Sequence, residues 1–145
     1  MRTLAVDYGT RRIGVAVSDA LGITARGVTT LRGLGELSAV ERVASLAGEL
    51  DAEAVVVGLP VRADGSVGDA AARVLRFVDR LKAAVAIPVH TVAEWLTSYE
   101  AEERMREMGI KRDERRRRID EAAAVVILEE YLAAHGRERE TRHDG

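Results

Sequence analysis

The chain opens with apolar positions spaced as in strands. Thr3 to Asp7 is short and apolar, Gly9 and Thr10 interrupt it, and Ile13, Val15 and Val17 then alternate with Gly14, Ala16 and Ser18, the period of two that marks a pleated strand. Gly27 to Leu31 predicts a third strand. The links between these segments are too short for a parallel crossover, which takes a dozen or more residues, so antiparallel pairing is expected. The period then changes. Leu37, Val40, Ala44, Ala47 and Leu50 recur at helical spacing. Ala54 to Val57 reads as a strand covered on both faces and ended by Gly58 and Pro60. Ala71, Val74, Leu75, Val78 and Leu81 form the inner stripe of a helix over Asp69 to Ala84, and Ile87 to Val92, entered through Pro88, predicts a fifth strand. Thr97 with Glu100 has the spacing of a capping box and predicts a short helix that stops at Gly109. A last helix is expected from about Arg115 to His135. The polar stretch 137–145 is expected to be a disordered tail, which leaves one domain over 1–136.

This element order predicts an α/β fold: a five-stranded mixed sheet, three antiparallel strands and then parallel ones, with helices on both faces. A chain of 145 residues builds one core. Its 22 basic and 24 acidic residues leave a net charge of −2, so any basic surface has to be local. Apolar runs such as Ala122 to Leu128 fall far short of the roughly 18 to 20 residues that cross a bilayer, and no charged-then-apolar leader opens the chain. A soluble, cytoplasmic protein with no membrane partner is expected. The absence of cysteine excludes disulfides, thiolate nucleophiles and Cys-ligated zinc, and His90, His135 and His143 are too dispersed for a helical zinc motif. Chemistry then falls to carboxylates, hydroxyls, lysines and hard cations bound through oxygen. One Phe, one Trp and three Tyr leave few platforms for base stacking.

Asp7, Asp120 and Glu94 are the candidate functional acids. Asp7 ends the first strand in line with Thr3 and Ala5, where a carboxylate is costly unless it caps the turn, is paired or holds a cation. Asp120 shares a helical stripe with Ala123, Ala124, Ile127, Leu128 and Tyr131. A helix starting near Ile119 would put it in the first turn instead, where the helix dipole stabilises an acid. Glu94, taken alone, reads as a solvated loop residue. If the first and fifth strands flank the fourth, however, Asp7 and Glu94 leave the sheet at one edge and the last helix can lay Asp120 over them. Converging carboxylates repel and titrate high unless a cation neutralises them, and an oxygen-only set suits Mg²⁺ or Mn²⁺. Just before Asp120, residues 111–118 carry six basic and two acidic residues. Such a run is often only a solvated face. Beside a cation-binding acid cluster, Lys111, Arg112 and Arg115, Arg116, Arg117 and Arg118 point to contact with a phosphodiester backbone.

Three motifs in series carry a resemblance. Asp7-Tyr8-Gly9-Thr10-Arg11-Arg12-Ile13-Gly14-Val15-Ala16-Val17-Ser18-Asp19 resembles the opening motif of the YqgF family, also called RuvX, the Holliday-junction-resolvase-like proteins. Val57-Gly58-Leu59-Pro60 with Asp64-Gly65-Ser66 is similar to its middle motif, and Ile119 to Leu128, containing Asp120, to its C-terminal one. The resemblance spans about Thr3 to His135. It implies an RNase H-like fold and a metal-dependent nuclease, associated with maturation of the 5′ end of 16S rRNA and proposed to act on branched DNA. Carried over by position, the catalytic and metal-binding acids are Asp7, Glu94 and Asp120. Two Mg²⁺ or Mn²⁺ ions bridged by Asp7 would activate water for in-line attack. Arg11 and Arg12 would join the later arginines in holding the strand. Structured RNA such as pre-rRNA, branched DNA and a ribosomal precursor particle are the implied partners, with monomer and homodimer both open. The family usually reads Asp-Glu-Arg where this chain has Ala93-Glu94-Trp95, so a flanking acid and a flanking base are missing at that edge. Packing against the short helix is the favoured role for Trp95; stacking of a base by Trp95 with Tyr8 or Tyr99 is the alternative. Two other readings of the whole chain are a nucleotide-binding ATPase fold, which also opens on Asp-x-Gly-Thr but needs two domains, and a nucleic-acid-binding module without catalysis.

Overall fold

The computed structural model describes residues 1–61, 68–94, 106, 107, 109 and 112–143, with side chains in the last segment described from 119 to 135. Eight elements follow in the order β1 (Thr3–Tyr8), β2 (Arg12–Ser18), β3 (Ala25–Arg32), α1 (Glu36–Glu49), β4 (Ala54–Pro60), α2 (Asp69–Ala84), β5 (Val89–Glu94) and α3 (Arg112–His143). The strands form one sheet in the order β3-β2-β1-β4-β5, antiparallel from β3 to β1 and parallel from β1 to β5. This is the predicted mixed sheet.

The two faces of the sheet are covered by different helices. Leu4, Val6, Val15, Val17, Val55 and Val57 bury one face beneath α1 and α2. Ala5, Ala16 and Val56 bury the other beneath Ala124, Ile127, Leu128 and Tyr131 of α3. The alternation in β2 is therefore one of size rather than polarity, since Gly14, Ala16 and Ser18 are as buried as Ile13, Val15 and Val17. Small residues admit α3 closely. A Cβ on Gly14 would fall on the backbone carbonyl of Asp120, and one on Gly58 would lie 2.5 Å from Ile127 Cδ1.

Several predicted details shift. On α1 the buried stripe is Ala39, Val40, Val43, Leu46 and Ala47, with Leu37 exposed; on α2 Phe77 lies inside and Leu75 outside. Both corrections are rotations of the helix about its axis, because Val43 and Phe77 continue the i, i+3, i+4 series of the deeply buried positions. Strand β3 is longer than predicted and holds a bulge at Val28, where Val15 pairs with Thr29 but Ala16 with Gly27. Strand β5 starts at Val89 rather than Ile87, since Pro88 has no N–H to give the ladder and contributes only its carbonyl, which accepts from Val55. It ends at Glu94 because β4 runs on through Gly58 to Pro60 and pairs with it to that point. Helix α3 begins at Arg112, earlier than the expected Arg115, and its backbone stays helical to His143, through most of the segment expected to be a tail; Arg and Glu, which fill this stretch, are good helix formers. Thr97, Glu100 and most of the predicted short helix lie outside the described residues. Gly109 itself has φ 75° and donates its N–H to Arg106 O, a conformation suited to a glycine that ends a helix.

Candidate functional site

Strands β1, β4 and β5 run parallel, so their carboxyl ends share one edge, the place where open α/β sheets present ligand sites. Asp7 lies one residue from the end of β1, on the same face as Ala5 and thus on the side covered by α3. Glu94 closes β5 opposite Pro60 and is largely buried. Its Cγ would be 3.1 Å from a Cβ on Gly58, which puts it next to Ile127 on that same side. The solvated-loop reading of Glu94 is thereby corrected: two extra residues of strand carry it into the sheet.

Asp120 reaches the edge from above. It occupies the third turn of α3, beyond the first turn in which the helix dipole acts, so the dipole does not account for it. Gly14 is the cross-strand partner of Asp7, and the backbone of Asp120 rests on Gly14. The side chain of Asp120 is 16% exposed, and its Oδ2 lies 3.3 Å from Arg12 Nε without the alignment of a hydrogen bond. Burial pushes the Asp7 carboxyl up from 3.8 to about 6, with the negative charge of Asp120 adding to the effect. Two carboxylates thus converge, Asp120 facing Arg12 and Asp7 buried beside it.

The donors are all oxygen, which fits a hard divalent cation. Among the described residues no three Asp, Glu or His side chains are close enough together to hold an ion by themselves. Mg²⁺ does not need that, since it is commonly held by one or two carboxylates with water and substrate phosphate oxygens filling the other positions. Asp7 and Asp120 match this arrangement, and Glu94 stands nearby on the same face.

The β1–β2 turn brings basic residues against the acids. Gly9 donates its N–H to Arg12 O at 3.0 Å, and a Cβ on Gly9 would be 2.6 Å from that oxygen, so only glycine closes the turn this tightly. Arg11 and Arg12 are held exposed at its far side. With Gly9, Thr10, Arg32 and Asp120 they line an open cleft of about 550 Å³. Arg32 was not a sequence candidate. Its signal is the β2–β3 register, which sets it opposite Arg12. Arg112 and Arg115 to Arg118 lie in the first two turns of α3, within about 12 Å of helix rise before Asp120. Lys111, Trp95, Tyr99 and the Asp64-Gly65-Ser66 part of the middle motif fall outside the described residues. Tyr8 is on the opposite face, stacked on Phe77 with ring centroids 4.2 Å apart, and is committed to the core rather than to a base. Among the described residues no helix is long and apolar enough to cross a membrane.

Comparison with known proteins identifies the family and the fold. The RuvX family, described as a Holliday junction resolvase, matches residues 1–134. A protein of Roseiflexus sp. (strain RS-1) named "Putative pre-16S rRNA nuclease" is 42% identical over 131 residues, 90% of this chain and 93% of that one. A protein of the same name from Syntrophus aciditrophicus (strain SB) is 43% identical over 139 residues, 96% of this chain and 93% of that one. Among solved structures, RuvC of T. thermophilus in complex with a Holliday junction substrate superposes with a TM-score of 0.58 at 18% identity, over 94% of this chain and 96% of that one. The fold is that of the RuvC-like resolvases, the RNase H-like sheet expected from the resemblance.

Proposed function

Because the chain belongs to the RuvX family, we propose that it is a metal-dependent nuclease that hydrolyses phosphodiester bonds, acting in maturation of the 5′ end of pre-16S rRNA. The observation that carries this reading is the convergence of Asp7 and Asp120 at the carboxyl edge of the sheet, next to a cleft lined by arginines. In this reading Asp7 and Asp120, with Glu94 nearby, would hold Mg²⁺ or Mn²⁺, two ions in the full centre, with water and substrate phosphate oxygens completing their shells. Such ions, when bound, make water nucleophilic at neutral pH and stabilise the departing oxygen. Asp7 is poised for this because its buried carboxyl, crowded by Asp120, gains by meeting a cation. Gly14 sets the height of α3 over β2 and so the spacing of the two aspartates. Arg11 and Arg12 orient the strand through its phosphates, and Arg112 and Arg115 to Arg118, next before Asp120 in the chain, would add positive charge for the same task.

Cleavage of branched DNA is the second reading, favoured by the family's description and by the fold shared with a resolvase. One experiment addresses both. End-labelled structured RNA and a four-way DNA junction are incubated with the protein in Mg²⁺, in Mn²⁺ and in EDTA, beside Asp7→Asn. Metal-dependent cleavage that Asp7→Asn abolishes is expected, and the preferred polymer selects between rRNA processing and junction resolution. A fully active Asp7→Asn protein would overturn the assignment of the site.

A further inference from the structure

Arg12 and Arg32 are direct cross-strand partners in the β2–β3 ladder. Like charges in that relation repel and cost stability, so an antiparallel pair normally avoids them. Here a third arginine joins them. The carbonyl of Arg11 accepts from the Gly33 N–H at 3.2 Å, which ties the β1–β2 turn to the end of β3 and brings Arg11 to the same cleft. Among the described residues Asp120 is the one acidic residue lining that cleft, and it contacts Arg12. Among the described residues Arg11 and Arg32 have no ion-pair partner. Three guanidinium groups against one carboxylate, among the described residues, leave a positive surplus at the cleft. The next residue along this row of the ladder is Thr30, opposite Gly14, whose Oγ1 is buried without a hydrogen-bond partner among the described residues.

We propose that the Arg11–Arg12–Arg32 cleft is a binding site for one backbone phosphate of the nucleic-acid strand, adjacent to the phosphate that reacts at Asp7 and Asp120. The proposal rests on the nuclease reading and adds to it a defined subsite with Arg32 as its anchoring residue. A phosphate supplies the negative charge that relieves the cross-strand repulsion, and its oxygens match the forked donors of arginine, which a point charge would not exploit. Arg12 joins the two places. Its Nε faces Asp120 while the other N–H groups of its five-donor head remain for the phosphate, so a strand seated in the cleft is held in register with the acids. Arg12 and Arg32 are positioning residues in this scheme. The ligand chemistry, a phosphodiester, is common to RNA and DNA.

The test measures binding without cleavage. The full chain is titrated in EDTA against labelled single strands of RNA and of DNA of one sequence, over a series of salt concentrations. Arg32→Gln is expected to weaken binding and to lower the slope of log affinity against log salt by about 0.7 to 1, the value of one phosphate contact. Arg26→Gln, the same charge change at the opposite end of β3, is expected to keep the wild-type slope. Arg32→Lys is expected to restore the slope but only part of the affinity, since it returns the charge without the fork. Loss confined to RNA or to DNA identifies the polymer that the cleft holds. Because Arg32→Gln removes a repulsion, its melting temperature at low salt is expected to equal or exceed that of the wild type, which separates lost binding from lost folding. A wild type that cleaves in Mn²⁺ while Arg32→Gln and Arg26→Gln bind alike overturns the subsite and leaves the nuclease reading standing. A wild type that neither cleaves nor binds overturns both.

Discussion

Asp7 and Asp19 stand at opposite ends of one hairpin, the first near the end of β1 and the second just past the end of β2. They bracket a single continuous motif, yet their surroundings differ in kind. At the Asp19 end the polar groups are satisfied locally. Asp19 Oδ1 accepts from Ile23 N–H at 2.7 Å and from Thr24 N–H at 3.3 Å, and these bonds, the one to Ile23 foremost, hold its carboxyl below the usual carboxylate range. Ser18 Oγ accepts from the buried Thr3 N–H at 2.8 Å, and the N-terminal ammonium donates to Ala20 O at 2.7 Å. That end is a clasp. At the Asp7 end burial and a second carboxylate raise the acid instead, and arginines face one another across a ladder. A carboxylate settled by backbone donors is structural, whereas one held at a cost to the fold is available for a ligand to relieve.

The largest expected effect breaks this contrast at its centre. Asp7→Asn is expected to reduce cleavage by more than about 100-fold, beyond what the loss of a supporting partner costs a metal site. The same variant is expected to be more stable than the metal-free wild type at pH 7.5. The carboxyl titrates at about 6 in the folded protein against 3.8 when unperturbed, so its contribution to stability is fully present below about pH 4 and is lost as the pH rises through about 6. The full shift corresponds to about 3 kcal/mol, an upper bound on what the neutral amide recovers. Melting curves in EDTA from pH 4 to 8 check this: the gap between the variant and the wild type should open across that window. Mn²⁺ should then close it by stabilising only the wild type. A gap that is constant with pH would mean that Asp7 is not held at a cost.

The Asp7 side of this contrast was legible in the chain; the Asp19 clasp was not. The mixed five-stranded sheet follows from hydrophobic periods and short connections, and the three candidate acids follow once the first and fifth strands are taken to flank the fourth; the motif resemblance picks out the same residues. Register was not legible. Arg32 becomes a site residue only when β2 and β3 are aligned with the Val28 bulge in place; Gly27 beside it hints at a bulge but does not fix the register. Glu94 reads as solvated if Gly58 and Pro60 end β4; the ladder instead continues through Leu59 and Pro60, which pair with Ala93 and Glu94. Tyr8 stood in the motif beside Asp7, but a strand alternates its faces, and the residue next to a site acid points to the other layer, here onto Phe77. Leu37 and Leu75 fit an apolar stripe at helical spacing, but the buried faces centre on Val43 and Phe77 and both leucines are exposed.

A second, smaller effect sharpens the comparison through the backbone. Gly14→Ala would drive a methyl group into the Asp120 carbonyl, so α3 must lift from β2. Overpacking of this kind typically costs about 1 to 3 kcal/mol. The expected signature is a loss of cleavage larger than the loss of stability explains, because lifting α3 also moves Asp120 away from Asp7. Cleavage rates measured well below the melting transition, beside chemical denaturation of the same sample, separate the two losses. Cleavage at the wild-type rate in a folded Gly14→Ala protein would show that the spacing of the aspartates is not set by this contact.

The smallest effect is expected at the clasp. Gly22 has φ 71° in the turn that closes on Asp19, and its N–H donates to Asp19 O at 3.1 Å. Gly22→Ala forces an L side chain into the left-handed region at a cost of about 1 to 2 kcal/mol. Asp19→Asn keeps one acceptor oxygen for Ile23 but gives up the charge, so it is expected to lower stability as well, and more so at neutral pH than in acid. An acid held below its ordinary range contributes stability that is present above that range and lost as the pH falls through the folded value. The pH dependence is therefore opposite in sign to that of Asp7→Asn. Both clasp variants are expected to cleave at the wild-type rate under conditions where they are folded, since the clasp and the acids lie at opposite ends of the β1–β2 pair. If either clasp variant lost cleavage while folded, strain at one end of the hairpin would be reaching the other, and the division of the motif into a structural end and a reactive end would fail.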